Sequence, residues 1–375
     1  MKRIMFFIES LAGGGAEKVL VTLLNHLNRE KYDVTLLTLV DTGVHKCGLD
    51  MTKLHYRSFI HPSANPVANI WNKVKYKLVY YYLPRSLASR WVLPQFGYDV
   101  YVAFVEGFAT SLISFISGVK IAWVHIDLKS YPWTLDKRIF KNKEEEHKTY
   151  CTYSKVVCVS QTVERVMNSY YGLRNTVTIY NHIDCDKIIE KSLANSFVVK
   201  PGCFNVVSVG RLVKQKGFDL LIPLIKRIRD KGINIQLYII GEGDEFKNLE
   251  EVVHELEMED YIHMLGFLNN PYPIMRKMDV FVCSSRAEGY SLVIAEAIVL
   301  GIPVISMNCA GPNELLDGGR FGCLCQTYEE LEHELFHAAT DKAFLMDLRK
   351  KSEDRKTFFC IQQTMTTIEQ LFDTL

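Results

Sequence analysis

Short apolar runs alternate with helix-like stretches along most of this chain, and they do so in two successive series. The first series has strand-like runs at 3–8, 34–40, 100–104, 121–124, 156–159 and 177–180. The second has them at 206–209, 236–240, 262–265, 280–283 and 304–306. Between the first two runs, Ala16, Val19, Leu20, Leu23, Leu24 and Leu27 recur at i, i+3, i+4 spacing, the mark of a helix with one buried face. Strand–helix alternation predicts mostly parallel sheets, and two series predict two doubly wound α/β domains. A polar, charged stretch ending in Pro201-Gly202 separates them. The expected division is a first domain at 1–181, a linker at 182–202, a second domain at 203–356 and a terminal amphipathic helix within 357–375.

At 375 residues the chain suits two domains of ordinary size. Its 48% apolar and 23% charged residues describe a globular protein. No apolar run reaches the length of a membrane span, and residues 1–8 lack the length and cleavage site of a signal peptide. Ten cysteines are scattered, mostly inside apolar runs, without a C-x2-C pair, which predicts buried reduced thiols and a cytosolic setting. A net charge of +1 hides an asymmetry. Residues 1–180 carry 23 Lys and Arg against 14 Asp and Glu, whereas residues 181–375 carry 21 against 29. From residue 51 to 98 there are seven basic residues and no acid. Opposite halves imply different partners, one of them anionic.

The chemistry concentrates at strand ends. Glu288 and Glu296, eight residues apart, bracket a strand-to-helix turn that also contains Gly289, Tyr290, Ser291 and Leu292. In such a sheet, ligands collect outside the carboxyl ends of the strands, and a helix start offers free N–H donors. Carboxylates beside anion-binding amides suit a ligand with hydroxyls and phosphate, such as a nucleotide sugar. Gly13-Gly14-Gly15 follows the first strand, where backbone can approach a phosphate, although a plain tight turn explains it equally well. The pattern G-x-G-x-x-G is absent there, which argues against a dinucleotide enzyme. Gly210-Arg211 and Lys216-Gly217 follow the first strand of the second series, His125 ends a strand in the first, and Gly311-Pro312-Asn313-Glu314 lies beyond the glutamate pair.

These five ordered segments resemble the signature of the family 4 retaining glycosyltransferases of the GT-B fold, of the type that builds bacterial surface polysaccharides. The resemblance implies two Rossmann-like domains facing across a cleft, with the acceptor on the N-terminal domain and the donor on the C-terminal one. The terminal helix would pack back on the first domain. Arg211 and Lys216 would neutralise the leaving nucleoside diphosphate without a metal. Glu288 would meet hydroxyls of the transferred sugar, and Glu296 those of the ribose. The competing assignment for either glutamate is a carboxylate offsetting a helix dipole, worth only ~0.3–1 kcal/mol. Gly14, Gly15 and Gly210 would approach the diphosphate, and Phe267 and Leu268 the base. His125 would hydrogen-bond near the reacting sugar; its alternative is a satisfied core histidine. Glu106 and Glu17 are candidate acceptor contacts. Glu314 is equally well a plain helix-start charge.

Asp184-Cys185-Asp186 matches the D-x-D metal site of another glycosyltransferase fold, but it lies in the linker and is read as structural. No metal and no cofactor is expected. In the acid-free segment, Trp71, Tyr76, Tyr80, Tyr81, Tyr82 and Trp91 are interleaved with Lys73, Lys75, Lys77, Arg85 and Arg90. Such mixing suits a lipid headgroup layer, or else a packed helix with solvated lysines; no nucleic-acid module accompanies it. The expected function is transfer of a hexose, with retention, from a nucleotide sugar to a sugar acceptor. The donor expected first is a UDP-hexose, and the acceptor is polyprenyl-diphosphate-linked at an anionic inner membrane face, where the protein would sit peripherally. The alternatives are a nucleotide-sugar epimerase or hydrolase on the same fold, and a non-catalytic nucleotide-sugar binder.

Overall fold

The computed structural model describes residues 1–12, 14–194, 197–359 and 361–375, which leaves Gly13, Asn195, Ser196 and Cys360 outside the described residues. The chain divides into two compact units, Met1–His182 with Gln362–Leu375, and Ile183–Ile361.

The first unit is built on seven parallel strands: β1 Lys2–Ile8, β2 Tyr32–Val40, β3 His55–Ile60, β4 Val100–Ala103, β5 Val119–Val124, β6 Lys155–Cys158 and β7 Thr176–Thr178. Their order is β3-β2-β1-β4-β5-β6-β7, so the direction of winding reverses between β1 and β4. Helices cover both faces of such a sheet, so its central strands are continuous apolar runs rather than alternating ones. Ile4 through Ile8 are accordingly all buried. Strand β3 was not expected. It lies on the edge, is largely polar, and is tied in by hydroxyls: Thr38 Oγ1 meets Tyr56 OH at 3.1 Å, and Tyr56 OH donates to Asp41 at 2.8 Å. The terminal helix Ile361–Thr374 belongs to this unit. Its Phe372 is fully buried, edge-on to Phe6 and Tyr32 with ring centroids 6.0 and 5.8 Å away.

The second unit carries six parallel strands: β8 Phe204–Val209, β9 Ile235–Ile240, β10 Ile262–Met264, β11 Val280–Cys283, β12 Val304–Met307 and β13 Cys323–Cys325. Their order is β10-β9-β8-β11-β12-β13, with the reversal between β8 and β11. Strand β13 is an unexpected three-residue edge strand, too short to show in a hydrophobic pattern. The core is formed by residues such as Val206, Leu237, Val280, Val282 and Ile305 under the helix Phe218–Asp230.

The stretch at 182–202 departs from the expected linker. It contains the helix Cys185–Ser192, which packs inside the second unit through buried Ile188 and Ser192. Arg276 donates to Ser192 Oγ at 3.0 Å, and Asn270 to the Lys191 carbonyl at 2.9 Å. Only one side of this helix is apolar, so its composition looks like that of a tether. Asp184 caps it, accepting from the Lys187 N–H at 3.1 Å. Among the described residues, no helix is long and apolar enough to cross a membrane.

Candidate active site

β8 and β11 are hydrogen-bonded neighbours, with Val206 opposite Val280, so the loops that leave them meet at the strand reversal. The first loop, after Gly210, is laced to the second, after Cys283. Arg286 N–H donates to the Gln215 carbonyl at 2.7 Å, Gln215 Nε2 to the Ala287 carbonyl at 2.8 Å, and Ser284 Oγ to the Lys216 carbonyl at 2.8 Å. Gly217 permits this approach. Its φ is +69°, and a Cβ there would lie 2.1 Å from the Ser284 carbonyl oxygen.

The stem of Lys216 runs over Gly210, and its ammonium forms an ion pair with Glu288 Oε1. Ser285 Oγ donates to the same oxygen at 2.8 Å. The side chains of Lys216 and Glu288 are 17% and 9% exposed. Burial pushes the lysine's pKa down, but the Glu288 carboxylate outweighs it and holds the ammonium above its usual value. Arg211 is exposed on the same loop, and its charge acts on Lys216. An ammonium has three donors, so one bond to Glu288 leaves two for phosphate oxygens.

Glu288 and Gly289–Ser291 lead into the helix Leu292–Val299. Ser291 is its N-cap in backbone geometry, yet its side chain caps nothing, and its buried Oγ has no hydrogen-bond partner. Gly311 closes the other side of this turn. Its N–H donates to the Glu288 carbonyl at 3.1 Å, and a Cβ on it would stand 2.7 Å from Tyr290 Cα. Glu296 is buried in the second turn of the helix and accepts from Tyr272 OH at 3.2 Å. Gly241 N–H donates to the Gly266 carbonyl at 2.8 Å, and a Cβ on Gly241 would strike the Gly210 carbonyl. The loop carrying exposed Phe267 and half-buried Leu268 is thereby drawn to the same sheet edge. Arg211, Lys216, Gly210, Glu288, the 289–292 turn, Glu296 and the 267–268 loop thus gather around one strand reversal.

The first-unit candidates have their own surroundings. Gly14 is the N-cap of the helix Gly15–His26, and the Glu17 carboxylate folds back over it, 2.2 Å from where a Gly14 Cβ would sit. His125 Nε2 lies 2.8 Å from the Phe104 carbonyl, which can only accept, so Nε2 carries the proton and Nδ1 the lone pair. Burial pushes this imidazole down to about 4 against the opposing pull of that bond, so it is neutral at pH 7. Glu106 is 5% exposed and takes hydrogen bonds from the His125 N–H at 2.9 Å and Trp133 Nε1 at 3.3 Å. These two bonds tie the loop that presents His125 to the end of β4. The sequence reading missed Ser285, which orients Glu288, and a group around Glu9 described below. Glu9 directly follows β1 and Ser285 lies two residues past β11, and that placement at the carboxyl end of a strand was the available signal.

A parallel Rossmann-like unit with a lysine–carboxylate pair, an exposed arginine and a helix start at its strand reversal has the chemistry suited to a ligand that carries phosphate and sugar hydroxyls. Residues 171–355 match the family model Glycosyl transferases group 1, and residues 13–187 match Glycosyltransferase Family 4. The chain belongs to the family 4 glycosyltransferases of the GT-B fold. It is 24% identical over 359 residues to an uncharacterized glycosyltransferase of Haemophilus influenzae, covering 92% of this chain and 95% of that one. It is 27% identical over 336 residues to a Campylobacter jejuni enzyme, covering 88% of this chain and 87% of that one. That enzyme is named N-acetylgalactosamine-N,N'-diacetylbacillosaminyl-diphospho-undecaprenol 4-alpha-N-acetylgalactosaminyltransferase. In fold it is similar to Anabaena Alr3699/HepE in complex with UDP-glucose, with a TM-score of 0.76, 20% identity and full coverage of both chains.

Proposed function

We propose that this glycosyltransferase moves a hexose or N-acetylhexosamine, with retention, from a UDP-sugar to a polyprenyl-diphosphate-linked sugar during surface-polysaccharide assembly. The Lys216–Glu288 pair beside Arg211 at the β8/β11 reversal carries the reading. As the anomeric C–O bond to the diphosphate breaks, the leaving oxygens gain charge that Arg211 and the two remaining Lys216 donors neutralise. The acceptor oxygen bonds to the anomeric carbon on the same face, and its proton passes to a diphosphate oxygen. This charge neutralisation needs no metal. Glu288, steered by Ser285, takes the sugar hydroxyls, and buried Glu296 the ribose. The HepE complex with UDP-glucose and the diphospho-undecaprenol in the Campylobacter enzyme's name support the donor and acceptor classes.

The helix Pro66–Lys77 supports docking on an anionic membrane. It has no buried residue, and Val67, Ile70, Trp71 and Val74 form an exposed apolar face with Lys73, Lys75 and Lys77 alongside. That arrangement is suited to the lipid interface. Incubation with a panel of nucleotide sugars, with and without lipid-linked acceptor, tests the function. Acceptor-dependent release of UDP with an α-linked product from an α-linked donor is expected. Turnover without any acceptor-linked product would exclude transfer.

A further inference from the structure

In the first unit the sheet reverses between β1 and β4, the place where a parallel sheet opens a crevice. Glu9 leaves β1 there, and Glu106 to Phe108 leave β4. Tyr80 hydrogen-bonds the Glu9 carboxyl. It comes from Leu78–Tyr82, a π-helical turn closed by the Leu83 N–H on the Leu78 carbonyl at 2.8 Å. Such turns are rare and are found frequently at functional sites. Tyr80 is held between two rings, Phe108 at 4.3 Å and Tyr76 at 5.2 Å, both nearly parallel to it. Arg85 donates to the Tyr80 carbonyl at 2.8 Å, and its guanidinium lies 4.9 Å from the Phe108 centroid, where its charge reaches Glu9. Tyr81 adds an exposed ring 4.9 Å from Tyr80.

A carboxylate balanced by an arginine suits a pyranose, whose hydroxyls donate to it. Tyr80 is covered on both faces and Phe108 is fully buried, so the exposed ring of Tyr81, fixed on that stack, is the one on which the C–H face would lie. We propose that Glu9, with Arg85 and the Tyr76–Tyr80–Phe108 stack, is the acceptor-sugar site, and that Glu9 selects the acceptor by taking hydrogen bonds from its hydroxyls. This rests on the transferase reading above. Glu9 faces Glu17 from the first helix, Glu106 from the loop after β4, Arg85 and the hydroxyl of Tyr80, with Tyr76 close by. Burial, then Glu17, pushes its carboxyl up to about 7 against the pull of Arg85. Acceptor use should therefore improve as pH rises through neutrality and Glu9 ionises.

The test is Glu9→Gln, with Tyr80→Phe as a second variant and thermal melts as a check on folding. Octyl glycosides of hexoses and N-acetylhexosamines serve as acceptors. Acceptor KM should rise about tenfold or more at pH 8 in Glu9→Gln, as for loss of a hydrogen bond to a charged group. Donor KM should move less than twofold, and the rise of kcat/KM for acceptor between pH 6 and 8 should flatten. An unchanged acceptor KM, or equal rises for donor and acceptor, overturns the proposal. If the wild type turns over no donor, the transferase reading is what fails. Saturation-transfer NMR with the same glycosides then decides the site, and equal binding to wild type and Glu9→Gln overturns it.

Discussion

Lys216→Met would remove the ammonium from Glu288 while keeping most of the stem that lies over Gly210. The Glu288 side chain, 9% exposed, would keep Ser285 Oγ as its donor. Removing one partner of a buried ion pair costs about 3–5 kcal/mol because the other charge stays buried. Lys216 is the wetter partner at 17% exposure, so Glu288→Gln should cost less, about 1–2 kcal/mol. The double variant buries no uncompensated charge and should recover at least about 1.5 kcal/mol of the summed losses. Urea unfolding of the four proteins measures this cycle, read on the transition that UDP shifts, which under the proposed donor site is that of the second unit. Because the folded Lys216 pKa is raised, the pair's contribution is complete below the unfolded-state lysine value near 10.4 and is lost only as pH rises through the folded value. The cost of Lys216→Met should therefore be the same at pH 7 and pH 9. Additive losses within about 0.5 kcal/mol, or a cost that vanishes by pH 9, would refute the reasoning.

Arg211→Ala should cut kcat by roughly 10²–10³, as expected for one preorganised donor at a developing anion, and a chelator should leave the wild type active; full activity in the variant would contradict this role. Glu296→Ala should weaken UDP binding, because ribose contacts exist in ground and transition states alike, whereas Glu288→Ala should act more on kcat and sugar choice. Equal losses of UDP affinity by calorimetry would refute that division. Replacing Lys73, Lys75 and Lys77 by glutamate should release the protein from anionic vesicles, at about 1 kcal/mol per charge, with wild-type binding falling as salt rises. Equal sedimentation of both proteins would leave the segment without a membrane role.

How much of this protein could be read from its residues follows from how far along the chain each signal acts. Apolar runs alternating with one-faced helices revealed two parallel sheets, because strands buried on both faces must be continuously apolar. The spacing of Glu288 and Glu296 across a strand-to-helix turn and the glycines at 210 and 217, taken with the other ordered segments of the family resemblance, pointed to the strand edge where these residues gather. The polar edge strand β3 and the three-residue β13 escaped because an edge needs little apolar surface. The helix Cys185–Ser192 escaped because two buried side chains do not stand out in a charged stretch. Only tertiary structure could show that Lys216 meets Glu288 across 72 residues of sequence, that Gly311 closes against Tyr290, or that Glu106 braces His125. It alone placed Glu9 beside Tyr80 and Arg85. These pairings depend on which strands lie side by side, β8 with β11 and β1 with β4, and that order is set by crossovers packing over the whole sheet rather than by any local pattern.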